Sequence, residues 1–196
     1  MLTACNGGAT PPGNDSTSAS ASASEPATAT PSPTPTPTAA YKPADAKGKA
    51  QNVPVPVLPE AAKAETKEGA IAFAEYWFSL LSYAYETGDL APLDSVTSPS
   101  CGPCDRAKQV INAWHTEGRW LVGGKVAAVA TSTTFNKGAD SAYQVAVQAR
   151  QVALTYMRQD GSVARSDPQP DDTGNLLFVV YSNGSWRLSD IGKIVG

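Results

Sequence analysis

Residues 66–88 read TKEGAIAFAEYWFSLLSYAYETG, the longest apolar-periodic run in the chain. At about 100° per residue, Ala70, Ala74, Trp77, Phe78, Leu81, Ala84 and Tyr85 share one helical face. Glu75, Ser79, Ser82 and Glu86 fall on the other. Phe73 and Leu80 widen the apolar stripe, so such a helix needs cover on more than one side. Thr66 suits an N-cap, Glu68 the first turn and Gly88 a left-handed stop. A membrane span is the alternative for so apolar a run, but residues 71–85 are too few and Glu75 interrupts them. The stretch reads as the main core helix of a soluble domain.

The chain that follows changes character. Pro92 and Pro99 keep the next segment in short pieces. A second helix is expected from about Pro103 to Glu117, with Cys104, Ala107, Val110, Ile111 and Trp114 on one side and Gly118 ending it. Beyond it, residues 120–135, 142–157, 176–181 and 186–191 are rich in Val, Thr and aromatics with partial period-two alternation. Asp160-Gly161 and Asn183-Gly184 mark hairpin turns, because both pairs adopt positive φ at low cost. Helices first and consecutive antiparallel strands afterwards predict an α+β fold, with N-terminal helices packed on a curved antiparallel sheet.

Residues 6–40 are almost entirely Ser, Thr, Ala, Pro and Gly, with Asp15 and Glu25 the only charges. Such a segment buries too little apolar surface to offset its backbone entropy, so a disordered tether is expected. Residues 31–37, PSPTPTP, favour stiff polyproline II, and the Ser/Ala run before them is flexible. Fully extended at ~3.1 Å per residue, the tether spans on the order of 150 Å. A spacer is the expected role; a Pro-rich ligand for a partner domain is the alternative. Residues 41–50 still read as tether, and residues 53–59, VPVPVLP, as an extended arm laid against the domain. The organisation expected is therefore a signal-peptide remnant at 1–5, a tether at 6–57 and one domain at 58–196.

Leu2-Thr3-Ala4-Cys5 has the form of a bacterial lipobox, and resembles the sites at which signal peptidase II leaves a lipidated Cys. The long Ser/Thr/Pro stretch directly after it is the context in which such sites occur. The basic and apolar regions of a signal peptide do not precede it, so a start assigned too far downstream or a truncation is expected. The alternative is an incidental Cys in a disordered tail. Lipidation at Cys5 implies a protein held by fatty-acyl chains on the outer face of the cell membrane.

Ala70-x-x-Phe73 with Tyr76-Trp77-Phe78, residues 83–89 (YAYETGD), Pro99-x-Cys101-x-x-Cys104 and the late Trp186 resemble a domain of unknown function found in actinobacterial lipoproteins. The element order also looks like the nuclear-transport-factor-like cone shared by ketosteroid isomerases and SnoaL-like proteins. The resemblance implies a compartment and a cone-shaped fold, and no activity.

Cys101-Gly102-Pro103-Cys104 carries the four residues of the thioredoxin motif, at an expected helix start where a thiolate would be stabilised. The surroundings differ: a helix and a Pro-containing loop precede it, Ser100 stands before the first Cys, and the downstream prolines Pro168 and Pro170 lie in a polar loop. A structural disulfide between Cys101 and Cys104 is the reading preferred, with thiol-disulfide exchange and metal binding as alternatives. His115 is the single imidazole of the chain and no fourth ligand suggests itself, so no metal or cofactor is expected. Asp89 and Asp94 are the carboxylates nearest the position of an isomerase base, but they lie in a connection and read as caps or solvated groups. Trp120, Tyr143, Tyr156, Phe178 and Trp186 could line a pocket on the concave side of the sheet; filling the core is the alternative.

A formal net charge of -3 with no basic cluster gives no reason to expect a nucleic-acid partner. The function expected is a lipid-anchored envelope protein whose domain binds a small apolar ligand or an envelope protein without catalysis. An extracytoplasmic thiol-disulfide oxidoreductase and a SnoaL-like small-molecule enzyme are the rival readings.

Overall fold

The computed structural model describes residues 39–138 and 140–194. The expectations for Cys5, the lipobox and the tether up to residue 38 lie outside the described residues. Helix α1 (Lys67–Thr87) begins where its sequence places it: Gly69 N–H donates to Thr66 Oγ1 at 3.0 Å, and Gly88, at φ 78°, ends it. Its buried face carries Phe73, Ala74, Trp77, Leu80, Leu81 and Ala84. Each large side chain buried there contributes roughly 1.5–3 kcal/mol, which makes α1 the centre of the core. Helices α2 (Ala91–Ser95) and α3 (Gly102–His115) follow.

Seven strands come next: β1 (Trp120–Gly123), β2 (Val126–Ser132), β3 (Tyr143–Gln151), β4 (Leu154–Met157), β5 (Val163–Asp167), β6 (Thr173–Ser182) and β7 (Ser185–Lys193). They form two antiparallel sheets, one in the order β1-β4-β5 and the other β2-β3-β6-β7. The expected arrangement of N-terminal helices on one curved, cone-shaped sheet is therefore corrected: the architecture is mostly antiparallel sheet, split in two, with few helices. Nor do the helices form a layer on one sheet, since α3 reaches both β7 and β1.

The split has a local cause. Residues 120–135 and 142–157, each expected as one strand stretch, pair as a long hairpin that bends sharply where β1 gives way to β2 and β3 to β4. Gly123 and Gly124 have φ of 82° and 73°, and a Cβ on Gly123 would lie 2.2 Å from the Ala153 carbonyl oxygen. Only glycine allows that approach and that conformation together. Hydrogen bonds continue through the corner, from Gly124 N to Ala153 O and from Val152 N to Lys125 O, both 3.0 Å.

On the four-stranded sheet, Val145, Val147 and Ala149 of β3, Leu177 and Val179 of β6, and Leu188 of β7 join α1 in the main core. Leu121, Leu154 and Tyr156 make a smaller cluster on the three-stranded sheet, against Tyr85 and Trp114. Between α2 and α3 the chain runs beside β7, with Leu188 N bonded to Val96 O at 2.8 Å and Ser98 N to Leu188 O at 2.7 Å. The Trp77 indole donates to Thr97 Oγ1 at 2.9 Å, which itself donates to Leu93 O at 2.6 Å, so this buried polar group is satisfied.

Residues 41–52, whose composition reads as tether, pair with themselves. Lys42 and Gln51 exchange backbone bonds of 3.0 and 2.9 Å, and Asp45 and Gly48 pair within them. The small hairpin sits beside β1, where the Trp120 indole donates to Asp45 O at 2.9 Å. Residues 53–59 then run extended to a single 3-10 turn, Glu60–Lys63, with Val53, Pro56 and Leu58 partly buried and Val55 and Val57 exposed.

Candidate functional site: a groove beside the N-terminal arm

The sequence-derived candidates occupy separate places. Cys101 and Cys104 are joined by a disulfide at the start of α3, with 0 % and 2 % of their surfaces exposed. Cys101 caps the helix, its sulfur accepting from Cys104 N at 3.3 Å. Both cysteines are thus buried in the folded domain, whereas exchange chemistry needs access to a sulfur. Asp94 pairs with Lys108 at 3.0 Å, and Asp89 Oδ1 accepts from Ala91 N at the start of α2. Both act as local caps or ion pairs.

Of the five aromatics, Tyr143 and Trp186 come together, ring centroids 5.6 Å apart. Their polar tips point to the link before α1: Tyr143 OH donates to Glu65 Oε1 at 2.9 Å and the Trp186 indole to Ala64 O at 3.1 Å. Tyr181 OH joins them, donating to Lys63 O at 2.8 Å. This cluster pins the entry of α1. Glu65 is held below the usual carboxylate range by its bonds from Lys137 and Tyr143. Tyr156 lies on the three-stranded sheet, edge-on to Trp114 at 5.0 Å with Arg165 over its ring. Trp120 is on the opposite face of that sheet, because Leu121 and not Trp120 is the partner of Tyr156. Phe178 points away from α1, opposite Gln144 and between the buried Leu177 and Val179. None of the five lines the groove described next.

A groove of about 640 Å³ runs between the N-terminal arm and the four-stranded sheet. One wall is Tyr41 with Val53, Pro54 and Pro56; the other is the start of β2, Val126 to Ala128, with Val152 and Arg150. The floor is the polar face of α1, where Glu75, Ser79, Ser82, Tyr83 and Glu86 stand. Ser82 ties floor to wall: its hydroxyl donates to Val126 O and accepts from Val126 N, both at 2.8 Å. Arg150 makes a two-pronged pair with Asp172, at 2.9 and 2.8 Å, which takes its charge out of play.

At one end sits a small polar network. Glu86, expected on the solvent face of α1, is 8 % exposed. It accepts a hydrogen bond from Tyr41 OH and pairs with Lys125 Nζ at 3.4 Å. Lys125 also donates to Tyr41 OH at 3.1 Å and lies over the Tyr41 ring. The bond to Tyr41, aided by the charge of Glu86, holds the Lys125 ammonium above its ordinary value. A buried carboxylate satisfied in this way is stable, and it locks the arm over the groove end. Sequence reasoning missed this network. The available signal was Tyr41, the only aromatic residue before Phe73 in an otherwise coreless stretch.

The groove thus combines largely apolar walls with hydroxyls on its floor. Among the described residues no group of three or more His, Cys, Asp or Glu could hold a metal, and no helix is long and apolar enough to cross a membrane.

Comparison with known proteins finds no matching curated protein. Among solved structures, the intermembrane space region of the chloroplast protein ARC6 is similar at 13% identity and a TM-score of 0.41, over 67% of this chain and 98% of that one. Aln2 from a Streptomyces species is similar at 11% identity and a TM-score of 0.38, over 62% and 88%. Both likenesses are distant. The chain belongs to a family of unknown function, DUF6318, whose model matches residues 39–192.

Proposed function

We propose that the protein is a lipoprotein of an actinobacterial cell envelope, anchored at Cys5 to the outer face of the cell membrane. Its domain holds a ligand or partner in the arm-side groove without performing chemistry on it. The observation that carries this reading is the groove itself: apolar walls, a hydroxyl-lined floor and an arm locked across one end by Tyr41, Glu86 and Lys125. Two further features support the compartment. Leu2-Thr3-Ala4-Cys5 precedes a Ser/Thr/Ala/Pro-rich stretch, and a buried disulfide persists best outside the reducing cytosol.

Titration of the full chain with Nile red, a neutral apolar fluorophore, tests the groove. Saturable binding is expected, and Ser79→Trp, which fills the floor from an exposed position, should weaken it at least tenfold. Unsaturable binding, or equal binding by the Trp variant, contradicts the reading. The anchor is tested separately, by fatty-acid labelling in cells of a form carrying a full signal sequence. Label that persists in Cys5→Ser would remove the lipidation assignment.

A further inference from the structure

A strand at a sheet edge presents unpaired N–H and C=O groups, and proteins protect such edges. Visible devices protect three of the four edges here. Residues 96–98 run beside β7. β5 is five residues long and carries Arg165 and Asp167, and β1 has only four residues. β2 is different: it has seven residues, with neither a charge nor a proline among them. Only its first residue is covered, by Ser82.

The ladder fixes which groups stay open. Val126 turns its N–H and C=O away from β3, toward Ser82. Alternation turns those of Ala128 the same way and, past the bulge between Ala128 and Ala130, those of Thr131. Among the described residues no backbone group outside the strands bonds to them. Thr131 Oγ1 is also buried without a hydrogen-bond partner, beside a second depression further along the same strand. The β2 end of this edge forms one wall of the groove. The facing wall makes no backbone bond to this edge, and its Pro54 and Pro56 have no N–H to donate.

We propose that the groove binds an extended segment of a partner protein, which adds to β2 as a fifth strand of the four-stranded sheet. This rests on the groove being the binding site. A single extended segment suits this place better than a second copy, whose own Val126–Ala128 lies in a groove between its arm and α1. The small side chains of Ala127 and Ala128 leave room for β-branched residues on the incoming strand. Glu75, exposed on the floor and without an ion pair among the described residues, favours a Lys or Arg on it.

Selection of a displayed library of random ten-residue peptides on the immobilised full chain tests this, followed by binding of the enriched peptide in synthetic form. Enriched sequences should alternate β-branched and polar residues and include a Lys or Arg. Ala128→Pro removes one outward donor from an edge position and should weaken binding at least tenfold with the melting temperature retained. Glu75→Gln should weaken it several-fold. On the unaltered protein, peptide should slow amide exchange at Ala128 and Thr131 specifically, which keeps the test valid if the Pro variant does not fold. A peptide that binds without slowing those amides overturns strand addition and leaves the groove reading standing. Failure to enrich any peptide also overturns it, and the Nile red titration then decides the groove reading independently.

Discussion

Tyr41 donates its hydroxyl hydrogen to the buried carboxylate of Glu86, 45 residues further along the chain. That bond joins a segment with the composition of a tether to the last turn of the central helix. It makes the arm part of the domain and gives the groove its closed end. Tyr41→Phe keeps the ring and removes the bond, leaving Glu86 with Lys125 alone. Because Tyr41 is itself 43% exposed, the expected loss is modest, about 1–2 kcal/mol, or roughly 2–6 °C in melting temperature. Nile red affinity should fall as the wall loosens. An unchanged melting curve would show that the arm is not held by this bond.

The corner at Gly123 is expected to tolerate no side chain. Gly123→Ala meets the Ala153 carbonyl and also forces a left-handed φ, so it should cost well above about 1 kcal/mol. Gly184→Ala provides the control, with a similar φ of 79° but nothing within 4 Å. Equal losses in denaturant melts of the two variants would mean that the close approach at the corner carries no weight.

His115 supplies a pH signature. Its Nε2 lies 3.0 Å from the Tyr85 carbonyl, an acceptor, so the neutral ring carries its proton there. Burial, with the charge of Lys49 adding to it, pushes the imidazole below its ordinary value. The unfolded chain then binds the proton first as pH falls. Stability from this group is complete above the unfolded value of about 6.5 and declines as pH drops below it. His115→Gln should flatten the decline in that window. A rise in stability on acidification through pH 6 would reverse the assignment.

The Cys101–Cys104 bridge should behave as a structural element. Native protein under mild reductant is expected to show almost no thiol alkylation, because neither sulfur is accessible. The loop it closes is short, so the Cys101→Ser/Cys104→Ser pair should lose only on the order of 1–2 kcal/mol. Insulin reduction should be absent. Rapid labelling of folded protein, or turnover lost in Cys101→Ser, would favour the oxidoreductase reading over the structural one.

The central helix was legible because its signals agree: a Thr cap, an apolar stripe and a Gly stop all fall at one spacing. The hairpin turns at Asp160-Gly161 and Asn183-Gly184 were legible for the same reason, and Gly161 and the Asn183-Gly184 pair do take positive φ. The division into two sheets was not read. Alternation continues through residues 120–135, so nothing in the periodicity marks the bend, and Gly123-Gly124 could as well have been a bulge. Glu86 looked solvated because helical periodicity sees only the helix. Its burial comes from Tyr41, which lies in a segment whose low apolar content hides its docking. Pocket and core were both compatible with the sequence at Tyr143 and Trp186; what periodicity does not carry is that their polar tips bond to the chain before α1.

Mapping amide resonances of the isotope-labelled full chain during a Nile red titration tests most directly that the arm-side groove is the binding site. The account predicts shifts at Val53, Ser79, Ser82, Lys125 and Ala128, which surround the groove. It predicts none at Gln148, Gly174 and Ile194, which line the separate depression on the same sheet. Shifts confined to that second group would contradict it.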